Sequence, residues 1–116
     1  MDQEEFREVL RQVLREELGV VPVAMGERWQ GGELVLKPGK EGTQEKRIPI
    51  EVFFKKIIGV REKLRLLEQK VNGSNLGEQE KVQLQQYITA CYGSLTTFNL
   101  LFADRDDWFV GQSSKR

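Results

Sequence analysis

The sequence predicts an α+β domain, in which an N-terminal amphipathic helix and a small antiparallel β-hairpin of two or three strands precede a long antiparallel helical hairpin. Two rows of apolar residues predict the helical hairpin, because each row steps alternately by four and three residues, the spacing of one face of an α-helix. The rows are Phe53, Ile57, Val60, Leu64, Leu67 and Val71, and then Leu84, Ile88, Cys91, Leu95, Phe98 and Phe102. A short turn separates them, so we expect the two helices to fold back and bury these rows against each other.

The N-terminal segment has the pattern of a capped amphipathic helix. Asp2 and Glu5 have the spacing of a capping box, and Gly19 is a typical residue just beyond a helix end. The apolar positions between them follow the helical period: Phe6, Val9, Leu10, Val13, Leu14 and Leu18. We therefore expect one face of this helix to be buried and the charged face to be solvated.

The following segment reads as extended. The β-branched residues around Pro22, in 20–23, predict a short edge strand, and 33–37 predict a second strand. Gln30-Gly31-Gly32 is expected to form the hairpin turn between them, and Lys46-Arg47-Ile48 to add a short third strand. Trp29, just before the turn, is expected to cover the helices.

The two long helices have recognisable ends. Pro49 suits the start of a helix over 50–72, and Gly73 suits a left-handed stop. The last helix begins near Leu76 or Gly77, capped either by Asn75 with Glu78 or at Gly77 with Glu80, and is expected to end near Asp104. These elements form one domain over residues 1–111, and a disordered tail is expected over 112–116.

Composition narrows the classes of function. The 116 residues carry no net charge and contain no histidine, which removes the commonest general base and metal ligand. The single Cys91 lies in an apolar row and is expected to be buried, as is usual for a free cysteine in a reducing, cytoplasmic setting. The acidic opening of the chain is not typical of a signal peptide. We expect no cofactor and no metal.

The last helix is apolar on more sides than one partner helix can cover. Residues 82–103 carry no charge, but they include many Gln, Thr and Ser side chains, which the interior of a bilayer disfavours. We therefore predict a helix buried in protein, with no membrane partner. Three explanations of its extra faces stay open: packing within the chain, which we favour, contact in a homodimer, and a ligand pocket. The row proposed as a partner interface is Tyr92, Thr96, Asn99 and Ala103.

Two other groups of polar residues are weighed against a structural role. Tyr87 and Tyr92, with Thr96, Thr97 and Asn99, suit a polar pocket, but we favour hydroxyl bonds to nearby backbone carbonyls. Asp104, Asp106 and Asp107 do not have the spacing of a calcium loop and are expected to form a solvated turn. No catalytic residue is predicted.

The middle of the chain is basic. Residues 37–72 contain ten basic and five acidic residues, a net charge of +5. The candidates for contact with an anion are Lys37, Lys40, Lys46, Arg47, Lys55 and Lys56. Interleaved glutamates weaken this prediction of nucleic-acid binding. Arg61 and Arg65, on the flank of a helical hairpin or coiled coil, are expected to lie near the acidic residues of the first helix.

We therefore expect a non-enzymatic, cytoplasmic protein–protein interaction or scaffold module. It is expected to form a homodimer or bind another protein through the apolar faces of its last and N-terminal helices. The alternative is a nucleic-acid-binding accessory protein that uses the basic segment 37–72.

Overall fold

The computed structural model describes residues 2–13 and 23–111 and has the α+β architecture that the sequence predicts. Helix α1, Gln3–Val13, is followed by strands β1, Glu33–Leu36, and β2, Lys46–Pro49. Helix α2, Ile50–Asn72, and helix α3, Glu78–Ser94, form the helical hairpin. The predictions for Leu14, Leu18, Gly19, the strand residues 20–22 and the tail 112–116 lie outside the described residues.

Helix α1 begins with the predicted capping box. The Glu5 backbone N–H donates to Asp2 Oδ1 at 2.7 Å, and the Asp2 N–H donates to Glu5 Oε1 at 3.2 Å. These bonds satisfy backbone donors that the first turn of a helix leaves without an intrahelical partner.

The β-hairpin pairs different segments from those predicted. β1 is antiparallel to β2, with Leu34 opposite Ile48, so the predicted third strand is the partner of the second. The predicted turn at Gln30–Gly32 instead connects a 3-10 turn, Glu27–Trp29, to β1. The segment before it pairs with the C-terminal part of the chain: Gly26 N–H donates to the Leu101 carbonyl at 2.8 Å, and Met25 forms an isolated bridge with Phe102.

The ends of the long helices agree with the prediction at three of four points. Helix α2 has the predicted bounds, although Gly73 has φ −90° and is not left-handed. Helix α3 is entered at Gly77, whose N–H donates to Glu80 Oε1 at 3.4 Å. The prediction that α3 ends near Asp104 was wrong, because α3 ends at Ser94 and is followed by a 3-10 helix, Thr96–Leu101.

Side-chain hydroxyls account for this early end. Ser94 Oγ donates to the Cys91 carbonyl at 2.8 Å, and Thr96 Oγ1 donates to the Gly93 carbonyl at 3.1 Å. Ser and Thr side chains that bond nearby carbonyls compete with the regular helical backbone bonds. Periodicity of apolar residues does not register this competition, and so it predicted a longer helix.

The buried stripe of α2 lies to one side of the predicted row. The positions that step by four and three residues and are buried or half-buried are Ile50, Phe54, Ile57, Arg61, Leu64, Glu68 and Val71. Val60 and Leu67 of the predicted row are exposed, as is Cys91 of α3, which was predicted to be buried. The stripe includes two charged residues, Arg61 and Glu68, which a pattern of apolar residues alone does not contain.

The apolar core lies where the C-terminal part of the chain crosses the first half of α2. Its buried members are Ile50, Phe54, Ile57, Leu101, Phe102 and Phe109. Phe102 packs edge-to-face on Phe54 and on Phe109, with ring centroids 5.6 and 5.7 Å apart. Trp29 packs against this core, as predicted, and its indole N–H donates to the Leu100 carbonyl at 2.7 Å.

Candidate functional site

A buried ionic cluster joins α1 to the C-terminal segment, residues 104–111. Asp107 has no exposed surface, and Arg11 Nη2 lies 2.8 Å from its Oδ1 and 2.9 Å from its Oδ2. Arg61 of α2 donates from Nε to the Asp107 carbonyl at 2.9 Å. Asp104 lies 3.4 Å from Arg11 Nε. We call these four residues the Asp107 cluster.

Burial affects the pKa values of two members of the Asp107 cluster. Burial raises the pKa of Asp107, while the hydrogen bond and charge of Arg11 oppose the rise. Burial also lowers the pKa of Arg61, and the neighbouring Arg65 adds to that effect. The predicted solvated turn was therefore wrong for Asp107, because two arginines draw it into the interior.

A second polar cluster joins α2 to α3. Tyr92 donates its hydroxyl to Glu68 Oε1 at 2.8 Å, and Gln85 donates from Nε2 to Glu68 Oε2 at 2.8 Å. Burial, followed by the Glu68 hydrogen bond, raises the pKa of Tyr92. Tyr92 is thus a neutral hydrogen-bond donor with a fixed acceptor, a role in positioning the helices.

Asn99 fastens the C-terminal segment to the body. Its Nδ2 donates to the Phe109 carbonyl at 2.9 Å, and its Oδ1 accepts from the Phe109 N–H at 2.7 Å. The residue is 7% exposed, so it faces the interior in this fold and has almost no surface to present to a partner.

The remaining residues of the predicted interface row have separate settings. Thr96 is half-buried, and Ala103 is exposed with its N–H bonded to the Ala24 carbonyl. Because α3 ends at Ser94, these positions do not continue the face of α3 that carries Tyr92. The structure therefore does not bring the four predicted residues together on one surface.

The predicted anion-contact residues lie on the surface. Arg47 of this group binds Glu33 at 2.7 Å and Glu45 at 3.0 Å. The five lysines are exposed, three around the loop between the strands and two on the first turns of α2: Lys37, Lys40, Lys46, Lys55 and Lys56. Trp29 is half-buried against the core, which leaves little of its ring exposed for stacking on a base.

Helix α1 is attached by its polar side. The α1 apolar face, which we define as Phe6, Val9, Leu10 and Val13, is 45% to 58% exposed. The buried residue of α1 is instead Arg11, 6% exposed, held by Asp107. An amphipathic helix normally turns its apolar face to a core. Here that face is about half exposed.

The helical hairpin has a second exposed apolar surface. The outer hairpin face, which we define as Val60, Leu67, Leu84 and Cys91, consists of exposed residues of α2 and α3. Glu68 bonds both Gln85 and Tyr92, so these three residues mark one edge of the contact between α2 and α3. Residues 67, 84 and 91 each precede one of these by one position, about 100° around the helix. The outer hairpin face is therefore turned away from this edge.

Reasoning from the sequence missed the charged members of the buried stripe. Arg61 lies four residues after Ile57 and three before Leu64, and Glu68 lies three before Val71. Both residues therefore continue the four–three spacing of the buried stripe of α2. This spacing indicates their burial only when charged residues are counted together with apolar ones.

Among residues 2–13 and 23–111, no group of three or more carboxylate or cysteine ligands is placed to hold a metal ion. In the same part of the chain, no helix has both the length and the hydropathy needed to cross a bilayer.

Comparison with known proteins identifies a family. The family model described as "Domain of unknown function (DUF8685)" matches residues 20–108, so the chain belongs to this family. The matched region begins after α1 and includes both strands, both long helices and Asp107. No curated protein and no solved structure matches the chain.

Proposed function

We propose that this member of the DUF8685 family is a non-enzymatic protein–protein interaction or scaffold module, acting in the cytoplasm, that self-associates through apolar helix faces. One observation carries the proposal: α1 buries Arg11 and leaves its apolar face exposed. Four apolar side chains on one short helix, each about half exposed, form a contiguous surface of the kind that marks interaction sites.

The energetic gain from covering this face is substantial for a small domain. Full burial of such a side chain contributes about 1.5–3 kcal/mol, so burying the exposed half contributes on the order of 1 kcal/mol for each residue. Association has its own entropic cost, and a stable complex needs more contact area than α1 provides alone. The outer hairpin face supplies a second apolar surface on the same chain.

The state of the polar groups supports a non-enzymatic role. Among the described residues, every buried side-chain nitrogen and oxygen has a hydrogen-bond partner. The Asp107 carboxylate accepts a hydrogen bond from Arg11. The Glu68 carboxylate accepts hydrogen bonds from Gln85 and Tyr92. Catalytic groups need access to a substrate, whereas these groups contact one another.

Solution mass over a hundredfold dilution tests this proposal. We expect light scattering to show a dimer that dissociates on dilution. Val9→Asp places a charge in the α1 apolar face and should shift dissociation to at least tenfold higher concentration. Glu8→Asp introduces the same residue at the neighbouring exposed position, and it should leave the mass unchanged. A strict monomer at all concentrations, with the wild-type chain folded, would contradict self-association.

Binding of nucleic acid through the basic segment is the second candidate function. The observation in its favour is that the five lysines are exposed and, among the described residues, none of them forms an ion pair. Binding through phosphates predicts an affinity for labelled single-stranded RNA or duplex DNA that falls steeply with salt. Lys37→Gln/Lys40→Gln/Lys46→Gln should reduce both the affinity and the salt dependence. Absence of binding at low salt would exclude this function.

A further inference from the structure

We propose that the α1 apolar face of one copy packs on the outer hairpin face of a second copy. This inference rests on the proposed self-association and names the two surfaces that meet. It describes a helix-in-groove contact, in which an amphipathic helix lays its apolar side between two others.

The outer hairpin face has the form and length that α1 requires. Four apolar residues of the hairpin are exposed: Val60 and Leu67 of α2, and Leu84 and Cys91 of α3. Two packed helices leave a shallow groove between their exposed sides. Phe53, earlier in α2, lines with Phe98 an apolar cleft of about 380 Å³ near the sheet. The segment from Val60 to Leu67 extends over about 10 Å along α2, and the segment from Phe6 to Val13 extends over the same length of α1. The outer hairpin face is therefore as long as the α1 apolar face.

Charge favours this pairing. Three exposed lysines flank the apolar residues of α2 on the outer side: Lys56, Lys63 and Lys70. On α1, Glu5 and Glu8 lie on the side of the helix next to Val9 and are also exposed. The opposite wall of the groove belongs to α3, where residues 82–94 carry no charge. A helix with one acidic edge thus meets a groove with one basic edge.

The same charges disfavour the symmetrical alternatives. Two outer hairpin faces packed together would bring the lysines of both copies into one interface, and two α1 faces would bring their glutamates together. Like charges in an interface are costly. The crossed pairing of α1 with the hairpin avoids both costs.

The groove that receives α1 belongs to the second copy. Within one chain, Arg11 holds α1 to Asp107, and Asp107 also binds Arg61. Arg61 lies on the same side of α2 as Glu68, seven residues later, and the outer hairpin face is turned away from that side. Each copy therefore has one α1 and one groove that no residue of 2–13 or 23–111 occupies, and reciprocal exchange between two copies closes a two-fold dimer.

Cross-linking between differently tagged copies tests the contact. One copy carries Val9→Cys/Cys91→Ser, and the other retains Cys91, the single cysteine of the natural chain. A short bismaleimide should join the two copies into a species that contains both tags. Glu4→Cys/Cys91→Ser, with the thiol at an exposed position on the side of α1 away from the apolar face, is the matched control and should give at least fivefold less product.

Exchange of charge provides a second test. Lys56→Glu/Lys63→Glu in one copy, and Glu5→Gln/Glu8→Lys in another, should each raise the dimer dissociation constant at least tenfold. Glutamine retains the capping role at position 5. Mixing the two variants should restore a heterodimer. In one of its two contacts the original glutamates of α1 meet the original lysines of α2. In the other, the lysine introduced at position 8 meets the glutamates introduced at positions 56 and 63.

The outcomes separate this inference from the function on which it rests. A monomeric wild-type chain would overturn both. A dimer that gives equal cross-linking from Val9→Cys and Glu4→Cys, and that is unaffected by the charge variants, would overturn the crossed contact while self-association stands. Cross-linking confined to a single chain, in a Val9→Cys variant that retains its own Cys91, would place α1 on its own hairpin and also overturn the inference.

Discussion

Asp107 accepts hydrogen bonds from Arg11 across 96 positions of the sequence, and this contact determines how α1 faces the rest of the protein. The bond draws the polar side of α1 inward. The α1 apolar face consequently points away from the core, which is the basis of the proposed function.

Removal of the Asp107 charge should destabilise the fold strongly. Asp107→Asn leaves the positive charges of Arg11 and Arg61 buried without the carboxylate that offsets them. Loss of one partner in a buried ion pair costs about 3 kcal/mol or more of folding free energy. Urea denaturation at neutral pH measures the effect. Asp106→Asn, at an exposed neighbouring position, should change the free energy of unfolding by less than about 0.5 kcal/mol. Equal stability of the two variants would exclude a structural role for the Asp107 cluster.

Asn99 is expected to contribute through Phe109. Asn99→Ala removes both hydrogen bonds to the Phe109 backbone and leaves a buried N–H and a buried carbonyl without their partner. Such a loss costs about 2 kcal/mol. Thermal unfolding should show a clear decrease in Tm, whereas Thr97→Ala, at an exposed position of the same 3-10 helix, should not. If the Asn99→Asp variant is instead a folded monomer with undiminished Tm, Asn99 lies on the surface of the protein and the buried contact with Phe109 is contradicted.

Two glycines in close contact should respond differently to substitution. A Cβ added to Gly111 would lie 2.7 Å from the Gly93 Cα, closer than real Cβ contacts permit, while one added to Gly93 would lie 3.8 Å from the Gly111 Cα. Gly111→Ala should therefore displace the C-terminal segment and lower Tm. Gly93→Ala should be neutral or stabilise α3 by up to about 1 kcal/mol, because alanine favours helix. Equal losses in Tm would contradict this asymmetry.

Glu51 should make folding sensitive to acid. The Gly31 N–H donates to Glu51 Oε2 at 2.7 Å, and this bond, together with the Glu51 N–H, lowers the pKa of Glu51. A carboxyl with a lowered pKa in the folded state contributes stability above its unfolded pKa and loses it as pH falls through the folded value. Glu51→Gln should thus narrow the difference in Tm between pH 7 and pH 3. Glu41→Gln, in the exposed loop between the strands, controls for loss of a surface carboxylate. An unchanged difference for Glu51→Gln would remove this role.

The elements that local chemistry specifies could be predicted from the sequence. The capping box of α1, the bounds of α2 and the entry to α3 at Gly77 each depend on residues within a few positions of one another. The α+β class followed from the same local patterns. The pairing of β1 with β2 was harder to predict from the sequence, because Gly31 and Gly32 suit several kinds of turn.

The sequence by itself determined the bounds of α2, the entry to α3, the segments that form β1 and β2, and which face of α1 is apolar. The tertiary structure decided which faces are buried. Arg11, Arg61 and Asp107 are far apart in the sequence, and each looks like a solvated residue until the fold brings them together. The ion pair of Arg11 with Asp107 turns the polar side of α1 inward, and so the surface that we propose for association could not be found from periodicity alone.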